Sequence, residues 1–499
     1  MPTLGGIAAQ NARRVHDRAA IIAGERSWTW SELDRWVGRN AAVFEHHGVT
    51  RGDRVAVTAT STPEYIAAAF AVLRLGAIVV PVNTRLAAPE IGHVLTDCSP
   101  RMFVHSASTA DAVRSAATAH PEVRVCEFDA LSSPGGVSEF TLDPVEEDRA
   151  DESDDAFIVY TSGTTGRAKG VVVDHHRAIW AAMAQIVSLG LRDGVRYLHL
   201  PPLYHAGGVV FLNATTVLGG TNILIDKFEP GAVLRAIEEF EVTALLGVPT
   251  MYHFILEHPE LHNFDLSSWR TGIFGAAPMP APTVEALLTE FPAVEFFQQC
   301  GQTEAGPTGI YSTMNQIQSE PNSSGHLAQP FVEARIVDES GRDVSAGEIG
   351  ELTLRGVPIM KSYWNNRAET DKVLRGGWLY TGDLFEVAPT GAMRLVDRRK
   401  DVIISGGRNI YSAEVEQALR TSGSVADCAV VGVPHPDWGE TVVAVVTAAE
   451  DASPTPDELR EHCAKLIADY KLPRRFVFDD VPRNAAGKVL KHRVRSMLQ

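Results

Sequence analysis

Apolar and polar positions alternate in blocks along most of the chain. "RVAVTA" (54–59) reads as a buried strand, 63–76 as a helix and "AIVVPV" (77–82) as a second strand; short apolar runs recur near 102, 156, 196, 222, 243, 271 and 294. Helical stretches such as "EPGAVLRAIEEFEV" (229–242) fall between the runs. Strands alternating with helices predict βαβ units and mostly parallel sheets, whose ligands sit beyond the carboxyl ends of the strands. Between 325 and 390 the texture changes to short strands punctuated by glycine, as in "ARIVDESGRDVSAGEIGELTLRG" (334–356), which predicts a small antiparallel sheet or barrel. After the charged run "DRRKD" (397–401), about 100 residues contain a helix over 413–421, strands at "CAVVGV" and "TVVAVVTA", a helix over 456–468 and a basic tail, enough for an α+β domain of its own. "DRRKD" by itself reads as a solvated turn.

The 499 residues carry a formal net charge of −17, which argues against a nucleic-acid surface, because phosphate backbones reward stripes of Lys and Arg. Any anionic ligand therefore needs a locally positive site. Five cysteines lie far apart without CxxC or His-linked metal spacing, so neither a disulfide framework nor a zinc site is indicated and a reducing cytoplasm is expected. The first residues lack an apolar core of signal-peptide length, and the most apolar stretch, 65–82, is interrupted by Arg74, so no integral membrane segment is expected.

"DDAFIVYTSGTTGRAKGVVV" sets a loop rich in glycine and hydroxyls between two β-branched runs, predicting strand, loop, strand. It does not satisfy G-x-x-x-x-G-K-[ST], and its Lys precedes a Val run where a Walker A Lys opens a helix. Gly163, Gly166 and Gly170 let backbone N–H groups converge; Thr161, Ser162, Thr164 and Thr165 add hydroxyls and Lys169 a charge, a combination suited to phosphate oxygens. A Gly/Thr-rich loop with no further context is more often a polar hairpin.

The whole string "YTSGTTGRAKGV" resembles the phosphate loop of the adenylate-forming superfamily, which includes acyl- and aryl-CoA ligases, carrier-loading adenylation domains and luciferases. Further resemblances follow in order. "FQQCGQTE" (297–304) resembles an element in which Thr303 contacts phosphate and Glu304 coordinates Mg²⁺, with Gln299, Cys300 and Gly301 beside the adenine; Cys300 stands where the family usually has Tyr. "GAAPM" resembles the segment that lines the other face of adenine, giving Gly275, Ala276 and Ala277. "YTGD" resembles the ribose element with Asp383, and in "DRRKD" Arg398 matches a ribose-contacting Arg and Lys400 a hinge position. "SGGRNIYSAEVE" (405–416) resembles the stretch that assists thioester formation, with Gly406 and Gly407 lining the pantetheine path and Ser412 where Pro is frequent. "PRNAAGKVLK" (482–491) resembles the catalytic-lysine segment, Lys488 being the match, and "LPPLYHAGG" (200–208) resembles the floor of the acyl pocket, with His205 beside the carboxylate.

The resemblance implies an α/β fold: a large N-terminal domain over 1–396 with mostly parallel sheets and a small barrel-like subdomain, a hinge at 397–400, and a mobile α+β domain over 401–499 carrying Lys488. It implies a soluble acyl-CoA ligase using ATP, Mg²⁺ and coenzyme A, with self-association left open. The acid is already ionised at neutral pH, since carboxyl groups titrate near pH ~4; the barrier is repulsion between anions, which Lys488 relieves by bridging carboxylate and α-phosphate. No Asp stands near His205 to pair an α-ammonium, and "LGVPTMY" (246–252), "IFGAAP" (273–278) and "GQTEAGPTG" (301–309) contribute no Lys or Arg. A neutral, mainly apolar acid is expected, aromatic or medium-chain aliphatic. Loading of a carrier protein and luciferase-like oxygenation are the alternatives.

Overall fold

The computed structural model describes the chain apart from residues 1, 132–141, 162–167, 276, 278, 484–488 and 499. It divides into two compact units: Met1–Ala334 with Leu354–Leu379, and Arg335–Thr353 with Tyr380–Gln499.

The first unit contains two α/β sheets. In one, the strands Asp155–Thr161, Ile78–Pro81, Arg54–Thr58, Met102–His105 and Arg124–Glu127 run parallel side by side. Lys169–Asp174 and the two-residue strand Ser362–Tyr363 add antiparallel to the outer side of Asp155–Thr161. In the other, Glu295–Gly301, Thr271–Gly275, Ala244–Gly247, Arg196–His199, Thr221–Leu224 and Ala19–Ala23 are parallel, with antiparallel strands at both edges. This is the expected class, and the continuous apolar runs follow from sheets covered on both faces.

Local signals explain the boundaries. The helix Pro63–Arg74 begins where Thr62 accepts from the backbone of Tyr65 and Pro63 occupies the first turn. All of its residues except Glu64 are buried, so it is apolar all round. Arg74, which breaks the apolar run in sequence, is 1% exposed; its guanidinium meets the Asp34 carboxylate and donates to the carbonyl of Val145. A buried cation persists only with such partners.

In the second unit the antiparallel strands Val425–His435 and Gly439–Ala448 pair along their length, Arg475–Phe478 joins Gly439–Ala448 in parallel, and the hairpin Ile403–Ser405/Arg408–Ile410 completes the sheet. Val442, Ala444 and Val446 face one core with Val415 and Leu459, while Val443 and Val445 face another with Val494. The helix expected over 456–468 ends at Ala464, because the backbone N–H groups of Lys465 and Leu466 turn to carbonyls three residues back and tighten the last turn.

The short strands between 325 and 390 do not make one sheet. Leu327–Ala328 extends the nine-stranded sheet and Ser362–Tyr363 the seven-stranded one; Val332–Val337, Ile349–Gly356, Leu374–Arg375 and Trp378–Val387, with Met393–Arg398, form the five-stranded antiparallel sheet. The second unit includes 335–353 and 380–396, which the sequence reading counts with the large domain, and 397–400 lies within it.

Candidate active site

The strand Asp155–Thr161 and its return strand Lys169–Asp174 form a hairpin in which Thr161 stands opposite Lys169. Ser162, Gly163, Thr164, Thr165 and Gly166 lie outside the described residues. The Lys169 ammonium pairs with the Glu369 carboxylate and lies 5.0 Å from the centre of the Tyr363 ring. Glu369 also accepts from Lys372, and the two cations, Lys169 first, hold its carboxyl below the usual range.

Strand Glu295–Gly301 feeds a single tight turn, Thr303–Ala305, that carries Thr303 and Glu304. The hydroxyl of Tyr363 donates to Glu304 Oε1 at 2.9 Å, and the backbone N–H of Met360 donates to the Glu304 carbonyl at 2.8 Å. Tyr363 thus gathers Lys169 and Glu304, a cation and a carboxylate, around one buried ring. Burial, and then the Glu304 carboxylate, push the Tyr363 phenol well above its ordinary value, so it remains a donor. No group of three or more His, Cys, Asp or Glu with metal-site geometry occurs among the described residues. A single carboxylate suits Mg²⁺, which takes most of its other ligands from water and substrate phosphates.

Gly275 ends its strand opposite Gln299. A Cβ there would stand 2.4 Å from the Gln299 carbonyl oxygen, so only glycine fits and the two stretches expected to flank adenine are held edge to edge. Gln299 donates to Gln185 Oε1 at 2.6 Å, and Gln185 in turn donates to the Pro307 carbonyl and accepts from Gln329. Cys300 and Gly301 pair with Ile310 and Gly309 on the next strand. Ala277 is exposed and Ala276 lies outside the described residues.

His205 caps the start of the helix Ala206–Val217 in extended conformation, half-buried. Burial first, and the nearby Arg85 second, lower its pKa, so the imidazole is neutral at pH 7. A small cavity of about 30 Å³ is lined by Thr303 and Pro307, by Ala206 and Asn213 of this helix, and by Phe157 and Ala181. No charged residue among the described ones lines it. Of the stretches expected to line an acyl pocket, 301–309 contributes to this cavity, and none of the described residues of 246–252 and 273–278 does.

The second unit holds a separate group. Asp383 and Arg398 face each other across a strand pair, Arg398 Nε standing 3.2 Å from Asp383 Oδ1. Arg399 pairs with the buried Glu351 at 3.0 Å, and Glu351 also accepts from the N–H of Gly382 at 2.9 Å. Gly406 and Gly407 make the two-residue turn of the Ile403–Ser405/Arg408–Ile410 hairpin with φ of +57° and +74°, the turn type that demands positive φ twice. Ser412 donates to the buried Asp397 at 2.7 Å, a bond that Pro could not make. Lys488 lies outside the described residues.

Sequence reasoning missed Tyr363, Glu369 and Gln185. Each is a common residue type whose meaning comes from a partner distant in the chain, as with Tyr363 and Glu304, 59 positions apart.

Residues 8–364 match the model of the AMP-binding enzyme family, and 414–488 that of the AMP-binding enzyme C-terminal domain. The chain belongs to the AMP-binding enzymes. Among curated relatives, this AMP-binding enzyme is 37% identical to a feruloyl-CoA synthase of an Amycolatopsis species over 494 residues, covering 99% of this chain and 98% of that one. It is 36% identical to an indoleacetate–CoA ligase of Aromatoleum aromaticum, covering 96% and 95%. Among solved structures it resembles an o-succinylbenzoate CoA synthetase of Bacillus subtilis in complex with its acyl-adenylate intermediate, with a TM-score of 0.87, 29% identity and coverage of 98% and 97%. The AMP-binding enzyme described here is an ATP-dependent, AMP-forming acid–CoA ligase. No helix among its described residues is long and apolar enough to cross a membrane.

Proposed function

We propose that the acid is neutral and mainly apolar, aromatic or medium-chain aliphatic. The observation that carries this reading is the cavity beside Thr303, which no charged side chain among the described residues lines: a second carboxylate there would be desolvated without a partner. The names of the relatives, a feruloyl-CoA synthase and an indoleacetate–CoA ligase, agree with an aryl acid.

In the first half-reaction a carboxylate oxygen attacks the α-phosphorus of ATP, and the bond to the bridging oxygen breaks to release pyrophosphate. Lys169 and the hydroxyls of Thr161 and Thr303 hold the polyphosphate, the loop 162–166 supplies backbone N–H groups, and Lys488 bridges the two reacting anions. Glu304 would hold Mg²⁺, which would neutralise phosphate charge. Adenine lies between 275–277 and 299–301, and Asp383 with Arg398 takes the ribose hydroxyls. His205, being neutral, directs the carboxylate by a hydrogen bond and adds no charge, while the N-terminus of its helix contributes a partial positive end.

In the second half-reaction the coenzyme A thiolate attacks the acyl carbon and AMP leaves. The small domain turns about Lys400 between the two steps, withdrawing Lys488 and bringing Gly406 and Gly407 to the thiol. Free cysteines throughout the described chain, three of them buried with raised thiol pKa values, fit a reducing cytoplasm.

A panel of carboxylic acids assayed for AMP release, with thioester products identified by mass, tests the reading. Neutral aryl or medium-chain acids are expected to turn over, and Lys488→Ala to lower adenylation by at least 100-fold. Turnover confined to charged diacids would refute the assignment.

A further inference from the structure

The helix Ala88–Cys98 packs against the hairpin Asp155–Thr161/Lys169–Asp174: its Ile91, Val94, Leu95 and Cys98 share one core with Ile158 and Val172 of the two strands. His93 and Asp97, four residues apart and so neighbours on one face of this helix, are half-buried, and each bonds a different arm of the hairpin. His93 Nε2 stands 2.9 Å from the Ala168 carbonyl oxygen, which can only accept, so the imidazole donates. Asp97 accepts from the Tyr160 hydroxyl at 2.6 Å. Tyr160 precedes and Ala168 follows the stretch 162–167, so a single turn of helix, about 5.4 Å of rise, reaches both of its ends.

These bonds fall where the sheet stops bracing the hairpin. The strand Ile78–Pro81 meets Asp155–Thr161 at Phe157, and Ser362–Tyr363 pairs with Lys169–Asp174 at Val171 and Val172. One more backbone bond, from the Trp364 N–H to the Gly170 carbonyl at 2.7 Å, supports the outer side. Past these points, among the described pairings, Tyr160 and Thr161 have Gly170 and Lys169 as their strand partners, and a ribbon of two strands twists more than a sheet does. The ladder thus sets the register of the tip, and the helix sets its direction. The helix end is itself anchored, since the Asp97 carbonyl accepts from Trp364 Nε1 at 3.2 Å and from the Asn365 amide at 3.3 Å. Burial above all raises the Tyr160 phenol beyond its ordinary value, so it stays a donor.

We propose that His93 and Asp97 are positioning residues for the nucleotide: acting through Ala168 and Tyr160, they fix both ends of 162–167, and the start of the strand that bears Lys169, before ATP arrives. This rests on the reading of 161–169 as the segment that holds polyphosphate. Ordering a segment opposes association, so a segment held in place beforehand binds its ligand more tightly.

The test titrates ATP with Mg²⁺, without any acid, into the wild-type protein and into His93→Leu, His93→Gln, Tyr160→Phe and Lys169→Ala variants in a calorimeter, which reads Kd and the fraction of binding-competent protein separately. His93→Leu and Tyr160→Phe are each expected to raise Kd by about three- to tenfold, the worth of one hydrogen bond. His93→Gln, whose amide N–H can still donate to the Ala168 carbonyl, should recover most of that loss. A role confined to stability would lower the competent fraction and leave Kd where it was. Should His93→Leu not fold, Tyr160→Phe, which keeps the ring, decides the matter. A rise below about threefold in Tyr160→Phe, or His93→Gln as weak a binder as His93→Leu, would overturn the proposal; with Lys169→Ala still raising Kd, the reading of 161–169 would survive that result. Lys169→Ala without effect, or a wild-type protein that binds no ATP, would remove the reading and the proposal together.

Discussion

Replacing Tyr363 by Phe removes a single oxygen atom from the centre of the end of the site proposed to take phosphate. Tyr363 is 6% exposed; its hydroxyl donates to Glu304 at 2.9 Å while its ring supports the Lys169 ammonium at 5.0 Å. Phe keeps the ring, and with it the packing and the cation–π contact, so the change isolates one bond. A hydrogen bond to a charged group has a net worth of about 1.5–3 kcal/mol, and loss of an outer partner of a metal-holding carboxylate costs about 10- to 100-fold in metal affinity. The expected outcome is a rise of at least about tenfold in the Mg²⁺ concentration giving half-maximal pyrophosphate release. The KM for the acid should stay within twofold, because the cavity proposed to take it is lined by other residues. Since the phenol titrates far above neutrality, the effect should be the same from pH 6 to pH 9. Titrating Mg²⁺ at saturating ATP and acid provides the measurement. An unchanged half-saturation, or an acid KM rising in step with it, would show that Glu304 does not hold the metal through this arrangement.

Two further expectations follow from the same reasoning. Lys400→Pro, at the position proposed as the hinge, should leave acyl-adenylate formation near the wild-type rate and lower thioester formation from the preformed adenylate by at least tenfold; rapid-quench measurement of the two half-reactions separates them, and equal rates would remove the rotation from the mechanism. His175 and His199 are buried and their pKa values are held down to about 4, chiefly by desolvation. The unfolded chain binds protons at these positions below its ordinary value near 6.5 and the folded chain does not, so stability falls as pH drops from about 6.5 toward 4, by about 1–2 kcal/mol apiece by pH 5. His175 Nδ1 accepts from the backbone N–H of Leu4 at 3.2 Å, a bond that protonation destroys. Denaturant unfolding at pH 7 and pH 5 checks this, and the His175→Gln/His199→Gln double variant should show a flatter profile.

What the sequence discloses is set by the range over which each feature is encoded. The helix Pro63–Arg74 is legible because its cap, its proline and its apolar face are local, and the Asp155–Thr161/Lys169–Asp174 hairpin because its two β-branched runs flank one loop. The helix after Thr455 is legible at its start, where Thr455 and Glu458 form a capping box, and less so at its end, where the apolar pattern of Leu466 and Ile467 continues past the last helical turn. Two-residue strands such as Ser362–Tyr363 carry no period of their own and are defined by the strand they join. In the candidate site the positions fixed by contiguous motifs, Thr303, Glu304, Lys169 and Gly275, can be named from the string alone. Tyr363 and Glu369 cannot, because an ordinary "SYWNNRAET" says nothing of partners 59 and 200 residues away. Asn213 is hidden for another reason: polar residues inside apolar helices are usually satisfied, and only the fold reveals that the Oδ1 of this one has no donor among the described residues.

The ion pair between Lys169 and Glu369 also bears on how the site responds to its ionic surroundings. Glu369 is shared between two lysines, so in this state Lys169 already has an anion beside it. If Lys169 binds polyphosphate as proposed, the arriving anion exchanges one anionic partner of Lys169 for another, and the released carboxylate keeps Lys372. Such an exchange sheds fewer small anions into solution than capture by a bare cation, so ATP affinity should fall only gently as potassium chloride is raised, and more steeply once Glu369 is replaced by Gln.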